Sequence, residues 1–191
     1  MAAMNDRSAI DLSNQFLIAM PGMVDPNFAG AVVYVCEHTP KGALGLVINR
    51  PTDLTLASLF ERIELSLEGS ASAEEPVFFG GPVQTDRGFV LHAPVGAYNS
   101  SIRVGELALT TSRDVLQAVA DGGGPRKMLV TLGYAGWEAG QLEGEISANA
   151  WLNVTADAGI IFDVPPAQRF GAALKLLGID PIMLAGEAGH A

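Results

Sequence analysis

The strongest constraint on this chain is that its apolar residues come in short runs, each stopped by a turn former. Phe16–Met20 is closed by Pro21-Gly22, Ala31–Cys36 follows Asp25-Pro26-Asn27, and Ala43–Asn49 follows Lys41-Gly42. Runs this short, rich in β-branched and aromatic residues, predict buried strands rather than helices. The second and third are joined too closely for a parallel crossover, which takes about a dozen residues, so they predict an antiparallel hairpin. Further strands are expected at 76–79, 89–92, 128–132, 151–154 and 160–162. Another is expected over 102–109, with Gly105 as a weak point or bulge.

Four segments switch to helical spacing. Leu56, Leu59, Phe60 and Ile63 share a face behind Thr55 as N-cap, and Val115, Leu116 and Val119 share one behind Thr111 or Ser112. A third helix is expected over 139–148 with Leu142 and Ile146 inward. The last opens at Pro165-Pro166 and buries Phe170, Ala173, Leu174 and Leu177 before Gly178. Residues 1–12 read as a flexible leader, 13–191 as one domain, and Ser66–Glu75 as a mobile loop. The order lacks strict βαβα alternation. It predicts an α+β fold in which a bent, mixed sheet is covered by three or four helices.

Charge narrows the function. Lys+Arg number 11 against 21 Asp+Glu, a net charge of −10, and the pI is about 4.6. That balance opposes polyanion binding, so direct nucleic-acid contact and anionic membrane surfaces are disfavoured. The longest apolar stretch, Phe28–Cys36, is far short of the roughly 20 residues of a membrane span. Cys36 is the only cysteine, so no internal disulfide can form, and a reducing, cytoplasmic setting is expected.

Several residues are candidates for chemistry. In an extended strand Cys36 and His38 share a face, so an imidazole could lower the thiol pKa and make a redox sensor; alternatively Cys36 is an inert core residue. Cys36, His38 and His92 lack metal-site spacing, and each histidine reads as a strand end reaching water. Gly133–Gly140 follows a strand and precedes a helix but matches no phosphate loop, so the glycines read as packing devices. Asn49, Arg50, Asp86 and Arg87 stand in turns, where an arginine could hold a partner's acidic terminus or a small acid, or an Arg–Asp network could tie two loops. Ser100, Ser101, Thr110, Thr111 and Ser112 could supply a hydroxyl nucleophile to His92, although no nucleophile elbow is present.

Long strings add what spacing cannot. Residues 14–26 (NQFLIAMPGMVDP), 36–38 (CEH), 42–51 (GALGLVINRP), 78–92 (FFGGPVQTDRGFVLH), 132–143 (LGYAGWEAGQLE) and 149–152 (NAWL) resemble the bacterial YqgE/AlgH family from about residue 12 to the end. Phe170 after Arg169 departs from the tryptophan the resemblance leads one to expect. The resemblance implies a cytoplasmic bacterial protein with an antiparallel-rich sheet curled into a pseudo-barrel. The family is largely uncharacterised; its AlgH branch is described as a transcriptional regulator of alginate production, and a redox role for the cysteine has been suggested. The expected function is therefore a non-enzymatic regulatory protein acting through protein partners, with no cofactor or metal required. A thiol sensor at Cys36 and His38 is one alternative, and a hydrolase or transferase another.

Overall fold

The short runs become strands of one bent sheet. A computed structural model describes residues 10–67, 69–182 and 184. Among them β1 is Gln15–Ala19, β2 Val32–Thr39, β3 Gly42–Val47, β4 Pro51–Thr55 and β5 Pro76–Phe79. β6 is Val83–Ala93, β7 Ser101–Val104, β8 Leu107–Thr110, β9 Lys127–Glu138 and β10 Trp151–Thr155. The order is β10-β1-β2-β3-β9-β6-β8-β7, and β4 pairs with β5 off this path. β5 and β9 pair in parallel, and every other recorded pairing is antiparallel. β9 pairs with β6 and β5 along its first half and with β3 along its second, which curls the sheet into a half-barrel. The predicted α+β class and the β2–β3 hairpin are observed.

Helices α1 (Leu56–Arg62), α2 (Asp114–Ala120), α3 (Gln141–Ser147), α4 (Ala158–Phe162) and α5 (Arg169–Leu176) cover the sheet. Alternation along the strands assigns each residue to a face. Phe16, Ile18, Tyr34 and Leu46 pack with Ile160, Ile161, Ala173 and Leu174 of α4 and α5. Leu17, Val33, Val35 and Val47 point the other way, with Trp137, Trp151 and Leu142 of α3. The first strands read as continuous apolar runs because both of their faces are covered. α1 and α2 close a third cluster around Phe60, Val115 and Val130.

Four sequence expectations change. The run 102–109 is a β7–β8 hairpin, turned at Gly105, whose φ is +56°. Residues 160–162 are helical, because Asp157 accepts the Gly159 N–H at 2.8 Å and starts α4 despite its β-branched residues. The strand expected to end at 132 runs on to Glu138, so Gly133 and Gly136 lie inside β9 and α3 begins at Gln141. α2 begins at Asp114 without a side-chain cap from Thr111 or Ser112. Thr55 does cap α1, accepting the Ser58 N–H at 3.2 Å.

The leader and the loop are partly tied down. Residues 1–9 lie outside the described residues, but Leu12 is buried against the second cluster and belongs to the domain. Within 66–75, Leu67 is buried, and the Glu75 carbonyl takes the Leu56 N–H at 2.8 Å.

Candidate functional site

Cys36 and His38 are separated by a backbone irregularity. Val35 pairs with Gly45 and Glu37 with Leu44, leaving Cys36 as a bulge. One extra residue reverses the alternation beyond it. Cys36 therefore packs with Phe16 and Tyr34 on one face. His38 turns to the other, where Nδ1 accepts the Leu12 N–H at 3.0 Å and Nε2 meets the Glu143 carboxylate of α3. This corrects the shared face expected from spacing.

The two partners assign the His38 proton to Nε2, since Nδ1 is an acceptor. The Glu143 carboxyl sits below its ordinary pKa, through its own backbone N–H first and then the His38 bond. The Cys36 thiol is pushed up, by burial first and by the Glu37 charge second, and its S–H points to the Tyr34 carbonyl at 3.7 Å. A raised thiol pKa removes the thiolate that redox chemistry needs. Native protein at about pH 8.5, where a free thiol is half ionised, is expected to resist iodoacetamide and to be labelled fully in urea. Labelling of the folded protein at a free-thiol rate would contradict this burial.

Arg50 and Asn49 are structural clamps. Arg50 donates to the Pro26, Asn27 and Ala29 carbonyls at 3.2, 2.6 and 2.8 Å and lies 5.8 Å above the Phe79 ring centroid. Asn49 accepts the Val32 N–H and donates to the Gly30 carbonyl, both at 2.9 Å. Together they hold the turn between β1 and β2, leaving the Arg50 guanidinium committed to backbone oxygens. Asp86 is exposed and takes no partner among the described residues, so the expected Arg–Asp network does not form.

Arg87 is differently placed. Its side chain is exposed on β6, 5.6 Å over the Phe89 ring centroid, and donates to the Gln84 side-chain oxygen at 3.3 Å. It has no carboxylate partner among the described residues. It borders a groove of about 410 Å³ lined also by Glu37, with Leu44, Phe89 and Tyr134 for apolar contact and the exposed Asn99–Ile102 at the rim. That rim leads into β7, the last strand of the sheet order. An edge strand carries backbone donors and acceptors that no neighbour has paired.

Behind the rim the predicted hydroxyl residues do meet a histidine. His92 is fully buried; Nδ1 lies 3.0 Å from the Pro94 carbonyl and Nε2 2.7 Å from the Thr110 hydroxyl, which lies 2.6 Å from the Ser101 hydroxyl. A carbonyl can only accept, so Nδ1 carries the proton and Nε2 takes the Thr110 O–H. His92 does not reach water as the sequence reading expected. Ser112 instead donates to Asp114 at 2.5 Å, lowering that carboxyl's pKa, and Asp114 accepts the Asn99 N–H at 2.8 Å. Ser112 and Asp114 thus order the rim.

Burial lowers the His92 pKa, partly offset by the Pro94 carbonyl. A histidine whose folded pKa lies below its unfolded value of about 6.5 leaves stability intact above that pH and removes it as pH falls toward the folded pKa. Urea unfolding should weaken below about pH 6.5 by up to about 1.4 kcal/mol per pH unit from this group. His92→Gln should flatten that slope, whereas an unchanged slope would show that His92 does not set it.

Within Gly133–Gly140, the first glycine serves packing. Gly133, at φ +77°, crosses the Gly80-Gly81 segment so closely that a Cβ there would stand 2.2 Å from the Gly81 carbonyl oxygen. Sequence reasoning also passed over Arg169, 5% exposed on α5. Its signal was its position four residues before Ala173, on the face already marked as buried.

Comparisons with known proteins agree with this architecture. The AlgH-like family model, DUF179, matches residues 16–182. The UPF0301 protein Bpet0561 of Bordetella petrii is 75% identical over 187 residues, 98% of this chain and 93% of that protein. The UPF0301 protein RSc0675 of Ralstonia nicotianae is 66% identical over 183 residues, 95% of this chain and 96% of that protein. The solution structure of the AlgH protein from Pseudomonas aeruginosa superposes with TM-score 0.79 at 53% identity, covering 98% of this chain and all of that one. With most of its length matched by the family model and by these relatives, the chain belongs to the AlgH-like family.

Proposed function

We propose that the protein is a non-enzymatic regulatory module that binds a protein partner through the Arg87 groove and the neighbouring β7 edge. The observation carrying this reading is an exposed guanidinium, oriented by Gln84 and Phe89 yet without a carboxylate partner among the described residues, beside the strand that ends the sheet order. Arg87 suits an acidic group, Glu37 in the same groove suits a donor, and β7 suits an extended backbone. Regulation through a protein also fits a net charge of −10, which opposes direct contact with DNA.

The test is capture from bacterial lysate by wild type, Arg87→Glu, and Arg126→Glu as an exposed control. A partner kept by wild type and Arg126→Glu but lost by Arg87→Glu supports the surface. Equal recovery by all three overturns it. The Ser101–Thr110–His92 chain favours a second reading, a hydrolase in which Ser101 passes its proton through Thr110. Ester hydrolysis abolished by Ser101→Ala with the fold intact would support that reading, and absence of turnover would remove it.

A further inference from the structure

Among the described residues, Arg169 is the buried charge that the proposed function leaves unused. Its Nε donates to the Val164 carbonyl at 2.8 Å, its Nη1 to the Ile48 carbonyl at 2.5 Å, and its guanidinium carbon lies 5.0 Å over the Phe78 ring centroid. Nη2 donates no hydrogen bond among the described residues, and no described carboxylate lies within ion-pair distance. Carbonyls satisfy N–H groups but carry no net charge. Burial lowers the Arg169 pKa to about 10, so the group is still a cation at neutral pH. A buried cation without a counter-ion is costly, and an arriving anion relieves that cost.

Arg169 lines a pocket of about 250 Å³ whose other walls include Leu56, Phe78, Leu129, Ile161 and Phe162. A cavity of about 150 Å³ is enough for a benzene ring, so this volume admits a ring-sized apolar body with one small polar group. Two acids, Glu75 and Asp163, also line it. Asp163 pairs with Lys127, whereas Glu75 has no cationic partner among the described residues. A ligand carrying a second negative charge would meet these carboxylates. We infer that this pocket binds a small monocarboxylic acid with an apolar body, its carboxylate paired with Arg169. The site is separate from the Arg87 groove, and either can fail without the other.

The test uses isotopically labelled full-length protein titrated with benzoate, with benzamide as its uncharged counterpart and inorganic phosphate as competitor, followed by NMR. Benzoate is expected to saturate in the millimolar range, with shifts at Phe78, Ile161, Phe162 and the Arg169 side-chain N–H. It should bind about tenfold or more tighter than benzamide, and phosphate should not displace it. Arg169→Met with a native spectrum should abolish the difference between the two ligands. Should that variant fail to fold, the wild-type comparison decides alone. The inference is overturned by equal affinities, by absence of saturation at about 10 mM, by shifts that map elsewhere, or by displacement with phosphate. A folded Arg169→Met that still prefers benzoate also overturns it.

Discussion

Gly133→Ala is expected to destabilise the fold by about 4 kcal/mol or more, a large fraction of the roughly 5–15 kcal/mol stability of an ordinary domain. Two effects combine. The backbone at Gly133 has φ +77°, where a β-carbon is strained by about 1–2 kcal/mol. That β-carbon would also stand 2.2 Å from the Gly81 carbonyl oxygen and 3.2 Å from that of Val83, so the clash is with backbone that cannot rotate away. Relief would require parting the 80–83 segment from β9, the strand that pairs with β3, β5 and β6. The control is Gly88→Ala on β6, where an added Cβ meets nothing within 4 Å. It should stay within about 0.5 kcal/mol of wild type. Urea unfolding of the three proteins checks this, and equal midpoints would show that the crossing tolerates a side chain.

Glu145→Ala should cost about 3 kcal/mol, the second-largest effect. The Glu145 carboxylate of α3 accepts the indole N–H of Trp137 at 3.3 Å and of Trp151 at 3.1 Å. Both rings are buried, and both pack against Phe28, at centroid distances of 6.2 and 5.6 Å. Removing the acceptor leaves two indole donors in an apolar cluster, and each unsatisfied donor costs about 1–3 kcal/mol. Glu145→Gln retains an oxygen acceptor and should lose only about 1 kcal/mol. Tryptophan fluorescence followed through urea unfolding reports on both rings. A Glu145→Ala midpoint equal to that of Glu145→Gln would show that the indoles find other acceptors.

The candidate site was legible as residue types but not as an arrangement. Arg87 and the hydroxyl-rich 100–112 segment stood out because polar groups in turns between apolar strands are available for binding. The Ser101–Thr110–His92 chain was not legible, because its members come from three strands and hydroxyl geometry has no sequence period. Arg50 and Arg87 looked alike in sequence. They differ because Arg50 faces the carbonyls of the 26–29 turn, whereas Arg87 has open groove on one side.

Sequence by itself determined the strands at 16–19 and 32–36, the β2–β3 hairpin, the Thr55-capped helix and the α+β class. Each rests on local physics: β-branched runs, a connection too short to cross over, a side-chain cap, and helical spacing of apolar residues. Tertiary structure decided what depends on distant neighbours. The bulge at Cys36 turned His38 away from the thiol, since strand faces follow pairing register rather than residue count alone. β9 ran through its glycines because β3 and the 80–83 segment supply partners there. Arg169 became a buried cation because α5 packs over Phe78 and the end of β3, an encounter between residues 121 positions apart that no local pattern encodes.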